Sequence, residues 1–385
     1  MMRAVLRGNR PALAAVLALT LVAGLLAAGC PKKQEPAGPT PQATTAGGVP
    51  SAANMPKSDE EYVFIGISTG AEYWLAAKAG LEDGAKELGV RSQFTGPTTQ
   101  NATEQAEVMA QITAKKPAGI LIAPGRPDTL TPYINAAVEA GIPVICLDTD
   151  APPPDCKRIA YFGTDNYNAG RRGAEILAGL IGGKGKVAIS SRPGQWNLDE
   201  RVSGYREYFA EKAPGVEIVQ VIDDKTEKAE GEKQSTALLS RYPDLAGFAG
   251  VNAVSGLGIA AALKSLDKVG KVKVVAMDGD SGILDLIEEG VIDASIAQRQ
   301  YWMSYIGIAY LYGLNHGVFC KPGETKAGAE PIPAVIDTTV VEVNKTNLDQ
   351  FRTPSQGAKE TLRQDFKDVM AKAKGEKKPE PKSES

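Results

Sequence analysis

Two segments of this chain carry the same acidic ending after an apolar run. Ile142-Pro143-Val144-Ile145-Cys146-Leu147-Asp148-Thr149-Asp150 reads like Val272-Lys273-Val274-Val275-Ala276-Met277-Asp278-Gly279-Asp280. A carboxylate at the end of a buried strand is a pure acceptor, able to take hydrogen bonds from a pair of donors. Two similar halves that each put such an end at the same topological point would line a cleft between them, a favoured place for a small molecule. The alternative is that each aspartate caps the next helix or makes a local turn. Catalytic chemistry finds less support. The chain has one histidine, His316, in Gly313-Leu314-Asn315-His316-Gly317 at a helix end, where it is expected to complement terminal carbonyls. No nucleophile elbow, phosphate-binding loop or dinucleotide fingerprint accompanies it, and Gly256-x-Gly258 lacks the third glycine. A binding protein fits better than an enzyme, and neither a cofactor nor a metal is expected.

The elements that must position these residues alternate along the chain. Strand-like runs fall at Val63–Ser68, Ser92–Thr95, Gly119–Ala123, Val144–Leu147, Ile159–Gly163, Lys186–Ser191, Glu217–Ile222, Gly247–Val251, Val272–Met277 and Ala294–Ala297. Helical patterns fill the gaps, among them Glu72–Leu88, Thr103–Lys115, Asn168–Ile181, Leu198–Lys212, Ser255–Leu266 and Trp302–Leu314, and one more strand is expected over Ala334–Val343. This rhythm predicts an α/β protein with parallel sheets flanked by helices, whose ligand groups gather past the carboxyl ends of the strands. The globular part runs to about 300 residues, more than one core usually holds, so two lobes are expected.

The ends of the chain read differently. Arg3, Arg7 and Arg10 precede an uncharged apolar run, Ala12 to Ala28, and small residues lead into Cys30. That order is a secretory signal, and Leu26-Ala27-Ala28-Gly29-Cys30 resembles a bacterial lipoprotein lipobox, with Ala27 where leucine is usual. Residues 1–29 are therefore expected to be removed and Cys30 to carry lipid. Residues 30–58, rich in Pro, Gly, Ala, Thr, Ser and Gln, read as a flexible tether, and 353–385 as an extension disordered at its end. With 43 basic and 46 acidic residues interspersed, nothing points to nucleic acid. Of four cysteines, Cys146 reads as a buried apolar residue, while Cys156 and Cys320 lie in polar loops and are the pair available for a disulfide.

Several further motifs occur in a telling order: Ser68-Thr69-Gly70-Ala71-Glu72-Tyr73-Trp74 followed by Gly80 and Gly84-Ala85, then Tyr161-Phe162-Gly163-Thr164-Asp165-Asn166, then Asn197-Leu198-Asp199-Glu200-Arg201-Val202-Ser203-Gly204-Tyr205. From Tyr62 to Leu348 the chain resembles the periplasmic sugar-binding proteins of ABC importers, the group typified by ribose-binding protein. The resemblance implies two Rossmann-like lobes joined by three hinge crossings, near Gly163–Asp165, Gln298–Arg299 and Ile336–Thr338. The N-terminal lobe would comprise 59–163 with 299–335, and the C-terminal lobe 164–298 with 336–352. It also implies the ligand set Tyr73, Trp74, Asp148, Asn197, Arg201, Asn252, Asp278 and Gln298.

The chemistry of that set suits a sugar. The aromatic rings of Tyr73 and Trp74 offer flat apolar surfaces to a C–H face. Asp148 and Asp278 accept from hydroxyl pairs, Arg201 donates through a planar fork, and Asn252 and Gln298 do both. Asn197, four residues before Arg201, shares its helix face. Ala71 stands where ribose-binding protein has a ligand amide, Thr149 where it has a second arginine, and Lys225 near another family aromatic, so a sugar or polyol other than ribose is expected. Arg126 and Arg192 keep an acidic ligand open. The expected molecule is a monomeric, lipid-anchored receptor that closes on a monosaccharide or polyol and serves an ABC permease. The alternative is a sugar-sensing partner of a chemoreceptor or histidine kinase.

Overall fold

The computed structural model describes residues 59–353; the signal segment, the tether with Cys30 and the chain beyond 353 lie outside the described residues. Two six-stranded sheets dominate. The first runs β2-β1-β3-β4-β5-β13 and is parallel throughout: β1 (Glu61–Ile65), β2 (Arg91–Thr95), β3 (Gly119–Ile122), β4 (Val144–Leu147), β5 (Ala160–Gly163) and β13 (Val335–Asp337). The second runs β7-β6-β8-β9-β10-β14: β6 (Lys184–Ser191), β7 (Gly215–Asp223), β8 (Leu245–Gly250), β9 (Lys273–Met277), β10 (Ala294–Gln298) and β14 (Val340–Val343). Here only β14 is antiparallel to its neighbour. Each sheet thus has the doubly wound order 2-1-3-4-5 plus one late strand, and ligands of such sheets sit at the carboxyl ends near the point where strand order reverses.

Alternating side chains bury both faces. In the first sheet Tyr62, Phe64, Leu121, Ile145 and Leu147 pack with α1 (Trp74–Leu88) and α9 (Gln300–Asn315). Val63, Ile65, Ile120, Ile122, Val144 and Cys146 face α2 (Ala102–Lys115) and α3 (Pro127–Glu139) on the other side. The second sheet repeats this. Val187, Ile189, Ala249, Val275 and Met277 meet α4 (Asn166–Leu180) and α5 (Trp196–Lys212). Ala188, Phe248, Val274 and Ala276 meet α6 (Lys228–Arg241), α7 (Ser255–Ser265) and α8 (Ser281–Glu289). Strand runs apolar at every position are what a sheet covered on both faces requires.

Local chemistry sets the helix ends and spacing. The Asn101 side chain accepts from the N–H groups of Thr103 and Glu104 at 3.1 and 3.2 Å, and Asp165 accepts from Asn168 N–H at 2.9 Å, capping α2 and α4. Two glycines let helices touch backbone to backbone. A Cβ at Gly80 would lie 2.0 Å from the Tyr301 carbonyl oxygen, and one at Gly170 would lie 2.0 Å from that of Arg201. The second contact fixes α5, and with it the arginine, against α4.

The chain passes between sheets after β5, after β10 and between β13 and β14. The single strand expected over Ala334–Val343 is in fact two, since Thr338 and Thr339 change sheets and Thr339 takes φ 62°. Crossing from one sheet to another breaks the ladder, which residue pattern alone does not reveal. The Cys156–Cys320 pairing is not formed. Cys156 sits in the core on the α2/α3 face in one cluster with Cys146, both as free thiols. Cys320 lies on β11 (Phe319–Cys320), its thiol 3.4 Å from the Glu324 carbonyl oxygen, and its neighbour Phe319 packs on the opposite face. His316 ends α9 as expected, but its ring serves Glu60, with Nε2 at 3.1 Å from the carboxylate, and stacks on Tyr312.

Candidate ligand-binding site

Asp148 and Asp278 occupy equivalent points of the two sheets, just past β4 and β9. Both take the left-handed backbone, φ 62° and 70°. Each N–H donates to a carbonyl of the next strand, Phe162 at 3.0 Å and Ile296 at 2.9 Å. Each carbonyl accepts a hydroxyl from that strand, Tyr161 at 2.8 Å and Ser295 at 2.6 Å. The sheet thus holds the backbone and aims each carboxylate out of its end. Neither side chain caps a helix.

Between the lobes these carboxylates converge. The Tyr73 hydroxyl donates to Asp148 and accepts from Gln298 Nε2 at 3.0 Å. Gln298 also donates to Asp278 at 2.9 Å and accepts from the Thr164 hydroxyl at 2.9 Å, so the end of β10 ties a hinge crossing to both acids. Arg201 is buried; its Nε donates to Asn166 Oδ1 at 2.9 Å and one Nη to the Val251 carbonyl at 2.8 Å. Its charge lowers the pKa of both aspartates, yet burial dominates. Asp148 is pushed up to about 6, with the Tyr73 hydroxyl and Arg201 opposing and Asp278 adding. Asp278 is also raised, by burial against Arg201 and Gln298. The arrangement brings together two acceptors, a planar donor and an amide, suited to a neutral ligand rich in hydroxyls.

Two of the residues expected here do other work. Trp74, 4 % exposed, is the first residue of α1 and turns toward the sheet, its ring edge-on to Phe64 with centroids 5.7 Å apart. It belongs to the N-terminal core and backs Tyr73, whose ring meets it at 4.9 Å. Asn252 spends its side chain inside its own lobe: the amide donates to Asp224, and Oδ1 accepts from the N–H groups of Val254 and Ser255 at 3.0 and 2.9 Å. Asn197 is half-buried in the first turn of α5 and makes no side-chain hydrogen bond among the described residues. Lys225 is exposed in the loop after β7, Arg192 is exposed, and Arg126 is paired with Asp128 at 2.8 Å.

Sequence reasoning missed other participants. Asp224, fully buried, accepts from Ser190, Asn252 and the Thr226 N–H and so braces the end of β8. Trp196 stands 57 % exposed at the start of the helix that carries Arg201. Glu72, beside Tyr73, reaches the other lobe, where Ser281 donates to it through N–H at 3.0 Å and hydroxyl at 2.8 Å. Of these only Trp196 left a signal, an aromatic next to the Asn197–Arg201 motif.

A model of the periplasmic binding protein domain matches residues 62–317. The chain belongs to the periplasmic binding protein family. The two doubly wound sheets with three crossings are the type I form of that fold, and the family binds solutes without transforming them. Membership also implies a periplasmic location. A curated relative, the D-allose-binding periplasmic protein of Escherichia coli (strain K12), is 28 % identical over 247 residues, covering 62 % of this chain and 79 % of that protein. Among solved structures, a sugar-binding protein of a sugar ABC transporter from Bacillus halodurans is 35 % identical with TM-score 0.72, covering 76 % of this chain and all of the other. The arabinose-binding protein AraP from Geobacillus stearothermophilus is also 35 % identical with TM-score 0.72, covering 77 % of this chain and 100 % of its own.

Proposed function

We propose that this periplasmic binding protein is the sugar receptor of an ABC importer, closing residues 59–163 with 299–335 and 164–298 with 336–352 around one monosaccharide or polyol. The observation that carries the reading is the convergence of Asp148, Asp278, Arg201 and Gln298 between the lobes, each acid presented by the same backbone geometry. Acceptors outnumber the one cation, which favours neutral hydroxyl-rich ligands over anionic ones. Tyr73 and the exposed Trp196 supply aromatic surface on opposite lobes, and Trp196 takes the place first given to Trp74. The relatives named above for allose and arabinose support a pentose or hexose. Lipid on Cys30 and the following tether would keep the monomeric receptor near its permease.

A thermal-shift screen tests this. Pentoses, hexoses and polyols, D-allose, L-arabinose and xylitol among them, are compared with sugar phosphates and amino acids. A neutral sugar or polyol is expected to raise the Tm by several degrees at millimolar concentration, since binding to the folded state stabilises by mass action. A response confined to charged ligands or amino acids would overturn the assignment.

A further inference from the structure

Glu72 and Ser281 come from different lobes, 209 residues apart in sequence, yet make two hydrogen bonds. Ser281 is the first residue of α8, and its N–H is one of the donors a helix leaves without an internal partner. The preceding residue, Asp280, makes no side-chain capping bond to this helix. The cap comes instead from Glu72 across the cleft, a carboxylate set against the positive end of a helix. Glu72 lies in the turn that leads into Tyr73, so the contact also braces the residue that bonds Asp148 and Gln298.

We infer that Glu72 is a cross-lobe latch: its carboxylate completes the amino end of α8 only when the lobes are together, and it thereby sets the fraction of closed molecules. The latch lies outside the Asp148–Asp278–Arg201 cluster and asks nothing of the ligand's identity, so it stands or falls separately from the sugar reading. It also assigns Glu72 a positioning role. In the open form water replaces Glu72, and α8 loses a charged cap; on closure one contact satisfies both partners.

Spin labels at the exposed positions Glu107 on α2 and Lys228 on α6 report the separation of the lobes in the full chain, measured as a distance distribution without added sugar. The parent protein is expected to show a short-distance population. Glu72→Ala should lower the ratio of short to long distances about fivefold, the usual worth of one helix cap. Glu72→Gln, which keeps an acceptor but not the charge, and Ser281→Ala, which keeps the backbone donor, should each fall between. Melting curves of all three variants check that they fold. Identical distributions in the parent and in folded Glu72→Ala, or a parent without any short-distance population, would overturn the latch.

Discussion

The two acidic strand ends share a backbone and part at the second aspartate. After β4, Asp150 receives two bonds from Arg158, at 2.5 and 2.7 Å, and Arg158 also donates to the Ala334 carbonyl at 3.1 Å. Thr149, between the acids, donates to the Pro124 carbonyl at 3.0 Å. After β9 the middle residue is Gly279, and Asp280 has no side-chain hydrogen bond among the described residues. Its neighbours are the carboxylates of Asp278 and Glu72, and burial together with those like charges pushes it up to about 7. The first aspartate of each pair is therefore set by the fold, since strand end and neighbouring strand dictate it. The second has diverged into a buried ion pair on one side and a strained acid beside the latch on the other.

Breaking the paired side should have the largest effect. Arg158→Ala leaves the Asp150 carboxylate buried without its cation, a loss of about 3–5 kcal/mol for a pair of this kind. Urea unfolding at neutral pH should show the midpoint fall accordingly, and a change below ~1 kcal/mol would remove Asp150 from the framework of the N-terminal lobe. The equivalence of Asp148 and Asp278 predicts matched losses of affinity. Asp148→Ala and Asp278→Ala should each weaken binding of whichever sugar the screen identifies by about ten- to hundredfold, the range for a hydrogen bond to a charged group. Calorimetric titration that found one variant unaffected would break the symmetry of the site.

Much of this was legible from the sequence because it repeats. The twin Asp-x-Asp endings announced two similar sheets, and the alternation of runs announced their helices. Arg201 and Gln298 followed from the order of motifs. What stayed hidden depends on direction rather than type. Trp74 sits in an aromatic pair, but as the first residue of α1 its side chain falls toward Phe64, and only the docked helix decides that. Asn252 is well placed for a ligand until Asp224, from a different strand end, takes its amide. Glu72 has a function only through Ser281 in the other lobe, and no local pattern links them. Cys156 lies in a segment that reads as a polar loop, but Asn135 of α3 donates to the Asp155 carbonyl and accepts from the Lys157 N–H, and Arg158 pairs with Asp150, which hold that loop against the core.

The smallest effect separates the second aspartates by size. An acid whose folded pKa lies above its unfolded value is protonated more readily in the folded chain, so raising the pH favours unfolding through that group. For Asp280 the window runs from the unfolded value near 4 up to about 7: below it both states are protonated and nothing is contributed, and above it the full penalty is present. Asp280→Asn removes the penalty. Because the side chain is partly solvated, the variant should gain about 1–2 kcal/mol over the parent at pH 8, and the gain should vanish near pH 4. Burial raises Asp150 too, with the Arg158 guanidinium opposing, so Asp150→Asn should gain less than Asp280→Asn at pH 8. Urea midpoints from pH 4 to 8 for both variants decide the matter: a larger gain for Asp280→Asn at pH 8 means that Arg158 offsets burial at one strand end while its twin keeps a repulsion that Glu72 must meet each time it caps α8, and equal gains would erase that difference.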